Sequence, residues 1–197
     1  MTTIIDYGAG NLRSVENTLD ELGASYKVTN RPEDVKAADK LLLPGVGHFG
    51  QMMASLDQLD LRGAIAERVR AGVPLLGICL GLQCLFEGSE EALDKRGFNF
   101  LPGQIKRFTG AVRIPHMGWN SLDMVRPSKL LRGMNTGPFT YFAHSYYAPV
   151  TAATAATCTY SVPNTAILEH KNLFGVQFHP EKSGPVGLHI MKNFLDL

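Results

Sequence analysis

Glycines stand two residues before and two residues after a cysteine in Gly77-Ile78-Cys79-Leu80-Gly81. The segment before this run, Val73-Pro74-Leu75-Leu76, is apolar and reads as a buried strand. The segment after it, Leu82-Gln83-Cys84-Leu85-Phe86, reads as a helix. A chain that passes from strand to helix with almost no loop crowds the side chains that flank the turn. Glycine removes that collision and tolerates the strained backbone. The pattern is a nucleophile elbow with cysteine in place of serine. It requires a strand that ends against a helix, and it points to covalent chemistry through a thiolate.

The rest of the first half supports the sheet this elbow needs. Residues 2–6 read as a strand, and Leu12, Val15, Leu19 and Leu22 recur at helical spacing. Residues 25–29 and 40–43 read as strands, residues 54–71 carry helical turns, and residues 75–78 form the strand that ends at Cys79. This alternation predicts an α/β fold: an open, mostly parallel sheet with helices on both faces and its site at the carboxyl ends of the strands. The second half is less regular. Residues 139–143, 166–169 and 173–178 read as strands, the threonines of residues 151–159 suit another, and residues 186–195 read as a closing helix. No repeat or linker is legible, so the expectation is a single domain over residues 1–197.

Composition narrows the partners. The formal net charge is +1 with no long basic or acidic run, which argues against nucleic acid or an anionic membrane. No leader-like or membrane-length apolar stretch is legible, and the three cysteines show no metal-type spacing. A reduced, cytoplasmic setting is expected, with no metal and no cofactor. Cys84 and Cys158 read as small core residues. His48, His116, His144, His170 and His189 read as surface or hydrogen-bonded core histidines.

A nucleophilic cysteine must be ionised, and two devices favour this: the start of a helix and a nearby histidine. The best placed histidine is His179, in Gln177-Phe178-His179-Pro180-Glu181-Lys182-Ser183 at the end of an apolar strand. Glu181 stands two residues on and can orient the imidazole, which gives a Cys79-His179-Glu181 triad. The run Gly45-Val46-Gly47-His48-Phe49-Gly50 matches G-x-G-x-x-G, but the next strand ends in Ile78-Cys79 where a dinucleotide site needs an acid. The better use of that turn is to aim the Val46 amide, with that of Leu80, at a developing oxyanion. On these residues alone, a cysteine peptidase or other hydrolase, or a non-catalytic module on the same fold, stays open.

Residues 77–83 with His179-Pro180-Glu181 resemble the class I, triad-type glutamine amidotransferases. The likeness extends to Pro44-Gly45-Val46-Gly47, Pro115-His116-Met117-Gly118-Trp119-Asn120 and Tyr141-Phe142-Ala143-His144-Ser145-Tyr146. It covers essentially the whole chain. It departs at Ser161, where the family often has glycine after the tyrosine.

The resemblance implies that Cys79 attacks the carboxamide of L-glutamine, that His179 moves the proton, and that the Val46 and Leu80 amides hold the oxyanion. It further implies that Gly47, Gln83, Glu91, Ser145 and Tyr146 bind glutamine. Ammonia released into neutral water becomes ammonium and is lost as a nucleophile, so a docked acceptor is expected. In the members this chain most resembles, the partner is a (βα)8-barrel cyclase subunit of histidine biosynthesis. Asn11, Met117, Trp119, Tyr141 and Lys182 map to the face that meets it. The same resemblance predicts that the Gly45-Val46-Gly47 turn is mis-set when the subunit is alone.

Overall fold

The computed structural model describes residues 1–9, 11–134 and 137–197. In the first half β1 (Thr2–Ile5), α1 (Leu12–Glu21), β2 (Tyr26–Thr29), α2 (Pro32–Lys36), β3 (Lys40–Gly45), α3 (Phe49–Gln58), α4 (Leu61–Arg70), β4 (Leu75–Cys79) and α5 (Leu80–Gln83) alternate as the sequence implies. Two differences stand out. Residues 54–71 do not form one helix, because Asp60 adopts a left-handed conformation with φ 55° and separates α3 from α4. The helix after Cys79 starts at the very next residue and lasts one turn, so residues 84–86 lie beyond it.

The second half holds β5 (Gly88–Ser89), β6 (Ala92–Arg96), β7 (Gln104–Arg107), β8 (His116–Ser121), β9 (Asp123–Met124), β10 (Phe139–His144), β11 (Tyr146–Tyr147), β12 (Thr154–Tyr160), β13 (Val162–His170), β14 (Leu173–Val176) and α6 (Gly184–Leu195). The main sheet has the order β2-β1-β3-β4-β14-β13-β12-β9. Its pairs are parallel from β2 across to β14 and antiparallel from β14 to β9. The predicted strand over residues 139–143 exists as β10, but it pairs with β8 in a separate ribbon outside the main sheet. Ser161, in the β12–β13 hairpin, has φ 56°, a left-handed turn that glycine adopts more easily.

Alternation along the strands builds two cores. Ile5, Leu41, Leu43 and Leu75 face one layer with Val35, Met52, Met53 and Ile65 from α2, α3 and α4. Ile4, Leu42, Leu76 and Ile78 face the other with Val15 and Leu19 from α1 and Ile190, Met191 and Phe194 from α6. Strands buried on both faces explain the unbroken apolar runs that made them legible. Among the described residues no helix is long and apolar enough to cross a membrane. In register, Gly45 lies opposite Cys79 and Val176 opposite Ile78, so β3, β4 and β14 end side by side. The site forms there.

Candidate active site

Cys79 ends β4 with φ 53° and ψ −108°, a conformation that costs a residue with a side chain on the order of 1–3 kcal/mol. Packing holds it there. A Cβ on Gly77 would come within 2.5 Å of the Gly81 carbonyl oxygen, and one on Gly45 within 2.5 Å of the Gly81 nitrogen. A Cβ on Gly81 would overlap the carbonyl oxygen of Leu43. The three glycines let α5 fold back onto β3 and β4, so Gly45 serves the elbow rather than a nucleotide. Since α5 is a single turn, it aligns few peptide dipoles behind the sulfur.

His179 follows β14 and lines the same cavity as Cys79, whose sulfur favours charge on the imidazole. Its Nδ1 lies 2.8 Å from Glu181 Oε1, so the nitrogen free to face the sulfur is Nε2. Both the imidazole and the carboxylate are buried, at 5% and 4% side-chain exposure. Burial alone would keep His179 neutral, but the Cys79 sulfur and the Glu181 carboxylate outweigh it and raise its pKa to about 10. The main chain fixes the ring's origin: the His179 amide donates to the Tyr141 carbonyl at 2.9 Å, and the Ser183 hydroxyl donates to the His179 carbonyl at 2.7 Å.

A cavity of about 190 Å³ opens over this pair. It brings together every residue assigned to oxyanion or substrate binding: Val46, Gly47, Leu80, Gln83, Glu91, Ser145 and Tyr146 all line it with Cys79 and His179. The size suits a small metabolite rather than a drug-sized ligand. Gln83 spends its amide protons on the Tyr146 carbonyl at 2.8 Å and on Gln177 Oε1 at 3.0 Å, leaving its own Oε1 for a ligand. Glu91 also caps α3, since its Oε2 accepts from the Phe49 amide at 2.7 Å. The Val46 amide is already engaged: it donates to the Tyr7 hydroxyl at 3.3 Å.

The residues mapped to a partner face are exposed or partly so. Met117 is 64% and Trp119 56% accessible. Trp119 meets Tyr141 edge-on at 6.2 Å, and the Lys182 ammonium sits 5.9 Å above the Tyr141 ring. Asn11 is exposed just before α1, which packs on the 3-10 turn Pro180–Lys182.

Sequence reasoning missed three residues. Gln177, fully buried, donates to Cys79 Sγ at 3.6 Å and links it to Gln83. His144 lines the cavity, and Tyr7 holds the Val46 amide. A glutamine inside the apolar run Phe174-Gly175-Val176-Gln177-Phe178 was a usable signal for the first. The other histidines follow the expected default: His48 caps α3 through Nδ1, His189 bonds the Arg132 carbonyl, and His170 is exposed. Cys84 and Cys158 are buried, and burial raises both thiols, Cys158 to about 12. Among the described residues no cluster of His, Cys, Asp or Glu could hold a metal ion.

The family model described as "Glutamine amidotransferase class-I" matches residues 3–197. The chain is similar to the imidazole glycerol phosphate synthase subunit HisH of Moorella thermoacetica, at 48% identity over 98% of this chain and 93% of that protein. It is likewise similar to the protein of that name from Deinococcus radiodurans, at 45% over 97% and 91%, and from Methanothermobacter thermautotrophicus, at 46% over 100% and 98%. Among solved structures, a glutamine amidotransferase superposes with TM-score 0.78 at 16% identity, covering 98% of this chain and 97% of that one. PurLQS from Thermotoga maritima superposes with TM-score 0.74 at 19% identity, covering 99% and 97%. At these identities the two structures speak for the fold.

Proposed function

The chain belongs to the class-I glutamine amidotransferase family, and on that premise we propose that it is the glutaminase subunit of an imidazole glycerol phosphate synthase. It hydrolyses L-glutamine to glutamate and ammonia and passes the ammonia to a cyclase subunit in histidine biosynthesis. One observation carries the reading: a cysteine strained at the end of a parallel strand, sharing a cavity wall with an imidazole whose far nitrogen is held by a buried carboxylate.

Cys79 Sγ, its proton already held by His179, forms a bond to the carboxamide carbon. The tetrahedral oxyanion takes hydrogen bonds from the Leu80 and Val46 amides. His179 delivers the proton to the departing nitrogen, the C–N bond breaks, and ammonia leaves with a glutamyl thioester on Cys79. His179, now a base, deprotonates water, which cleaves the thioester to glutamate and restores the thiolate. Glu181 keeps the imidazole proton on Nδ1 and steadies the imidazolium. Gln83 Oε1 and Glu91 accept from the nitrogens of glutamine, and Gly47, Ser145 and Tyr146 hold its main-chain end. The three free cysteines suit a reducing, cytoplasmic setting.

Ammonia must reach its acceptor without meeting bulk water, and the exposed Met117, Trp119, Lys182 and Asn11, with the half-buried Tyr141, form the docking face for a (βα)8-barrel cyclase. The engaged Val46 amide supports gating. While Tyr7 holds that N–H, the oxyanion has one donor in place of two. Glutamate release measured with the chain alone, with the cyclase subunit, and with cyclase plus its nucleotide substrate tests the proposal. Release should be slow alone and strongly raised in the full mixture. Absence of glutamate in every mixture would reject the function, and equal release in all three would reject the gating.

A further inference from the structure

Two histidines outside the triad form a hydrogen-bonded pair that ends on the cavity wall. His116 and His144 lie directly opposite one another in the β8–β10 ribbon. They are 4% and 6% exposed. His144 Nδ1 lies 2.8 Å from the Tyr146 carbonyl, which can only accept, so Nδ1 carries the proton. His144 Nε2 is then a lone pair, and it accepts from His116 Nδ1 at 3.2 Å. His116 Nε2 accepts in turn from the Asn120 amide at 3.5 Å. Every tautomer along the chain follows from the carbonyl at its end. Burial holds both rings neutral, lowering His116 to about 4 and His144 to about 3, so the order persists at physiological pH.

Space-filling does not account for these residues. Phe108, Phe142 and Tyr160 already surround the rings, and His116 stacks on Tyr160 at 3.9 Å. Two further apolar rings would fill the same volume with no buried polar atoms to satisfy. What imidazole adds is a directed donor. The Tyr146 carbonyl accepts from His144 and from Gln83, so both its lone pairs are used. Gln83 continues to Gln177, and Gln177 to Cys79 Sγ.

We infer that His144, oriented by His116, is a positioning residue of the glutamine pocket: it fixes the Tyr146 carbonyl and through it the Gln83 carboxamide that meets the substrate. The inference rests on the glutaminase reading. The ring never touches the reacting atoms, so its loss weakens substrate recognition and spares the reactivity of the sulfur.

The test is covalent labelling of the full chain by a diazo-ketone analogue of glutamine, followed by intact mass, which separates the analogue's half-saturating concentration from its limiting labelling rate. His144→Phe removes the donor and leaves a buried acceptor short of one partner, and the half-saturating concentration should rise on the order of 10-fold with little change in limiting rate. His116→Phe should act in the same direction. His144→Asn, whose amide nitrogen falls near Nδ1, should recover most of the loss, which general damage to the fold would not allow. Wild-type labelling with unchanged half-saturation in His144→Phe, or no recovery in His144→Asn, overturns the inference alone. A wild-type chain that is not labelled at Cys79 overturns the glutaminase reading and this inference with it.

Discussion

Replacing Glu181 with glutamine isolates what the buried carboxylate does. The side chain keeps its shape but loses its charge, 2.8 Å from His179 Nδ1. In the wild type burial opposes charge on the ring, and the sulfur and carboxylate overcome it and raise the pKa to about 10. The proton that His179 must give to departing ammonia is therefore retained across neutral pH and lost only as pH rises through that value. Removing an opposite charge in contact lowers a pKa by roughly 1–3 units, so the alkaline limb of the pH profile should move down by that amount. A carboxamide can also turn its NH2 toward Nδ1 and enforce the wrong tautomer, which costs on the order of 10⁴-fold in rate in a triad. Glu181→Gln should thus lose roughly 10²- to 10⁴-fold in glutamate release at neutral pH, part of it recovered at lower pH if the shifted proton rather than the tautomer dominates. Folding stability carries the same sign. The contribution of the raised His179 pKa is complete below its ordinary value of 6.5 and fades as pH rises through about 10. The assay is glutamate release by the complete complex as a function of pH. An unchanged alkaline limb with less than about a 3-fold loss, far below the range expected for a triad carboxylate, would refute the role given to Glu181.

Gly81→Ala places a Cβ against the Leu43 carbonyl, a backbone atom of β3 that cannot yield, so thermal unfolding should show destabilisation of about 1–3 kcal/mol or more, with glutaminase activity lost. Tyr7→Phe removes the acceptor that holds the Val46 amide; a hydrogen bond worth about 0.5–1.5 kcal/mol converts to a rise of about 2- to 12-fold in glutamate release by the chain without its partner. Trp119→Ala trims a side chain that is 56% exposed, so the melting temperature should hold within experimental error. Its affinity for the cyclase subunit, followed by titration calorimetry, should fall by about 2 kcal/mol, as for an aromatic anchor.

The legible part of this molecule is the part whose strands are buried on both faces. β3 and β4 carry the apolar runs Leu41–Leu43 and Leu75–Leu76 because both of their faces are buried, and their alternation with helical segments could be read even though the split between α3 and α4 could not. The elbow was legible for a steric reason: Gly77 and Gly81 have no alternative where α5 folds back on the sheet. The G-x-G-x-x-G run misleads because Gly45 answers the same packing demand from the neighbouring strand. The second half resists reading because its structure is not periodic. β5, β9 and β11 have two residues each, and β8 mixes the exposed Met117 and Trp119 with buried His116. The split at Asp60 carries no glycine or proline to announce it. In the site, Cys79, His179 and Glu181 stand in local contexts that declare them, whereas Gln177 and His144 act through partners about 98 and 28 positions away in the chain, or across a ribbon that sequence spacing does not reveal.

The account turns on a covalent bond between Cys79 and the glutamyl group. Acid-quenching the complete complex during turnover of isotope-labelled glutamine, then mapping the label by peptide mass spectrometry, observes that bond directly. A glutamyl thioester is expected on Cys79 itself, distinguished by fragment ions from Cys84 in the same stretch of chain, and absent from Cys158 and from Cys79→Ser. Steady glutamate release with no label on Cys79, or release that persists in Cys79→Ser, would contradict it.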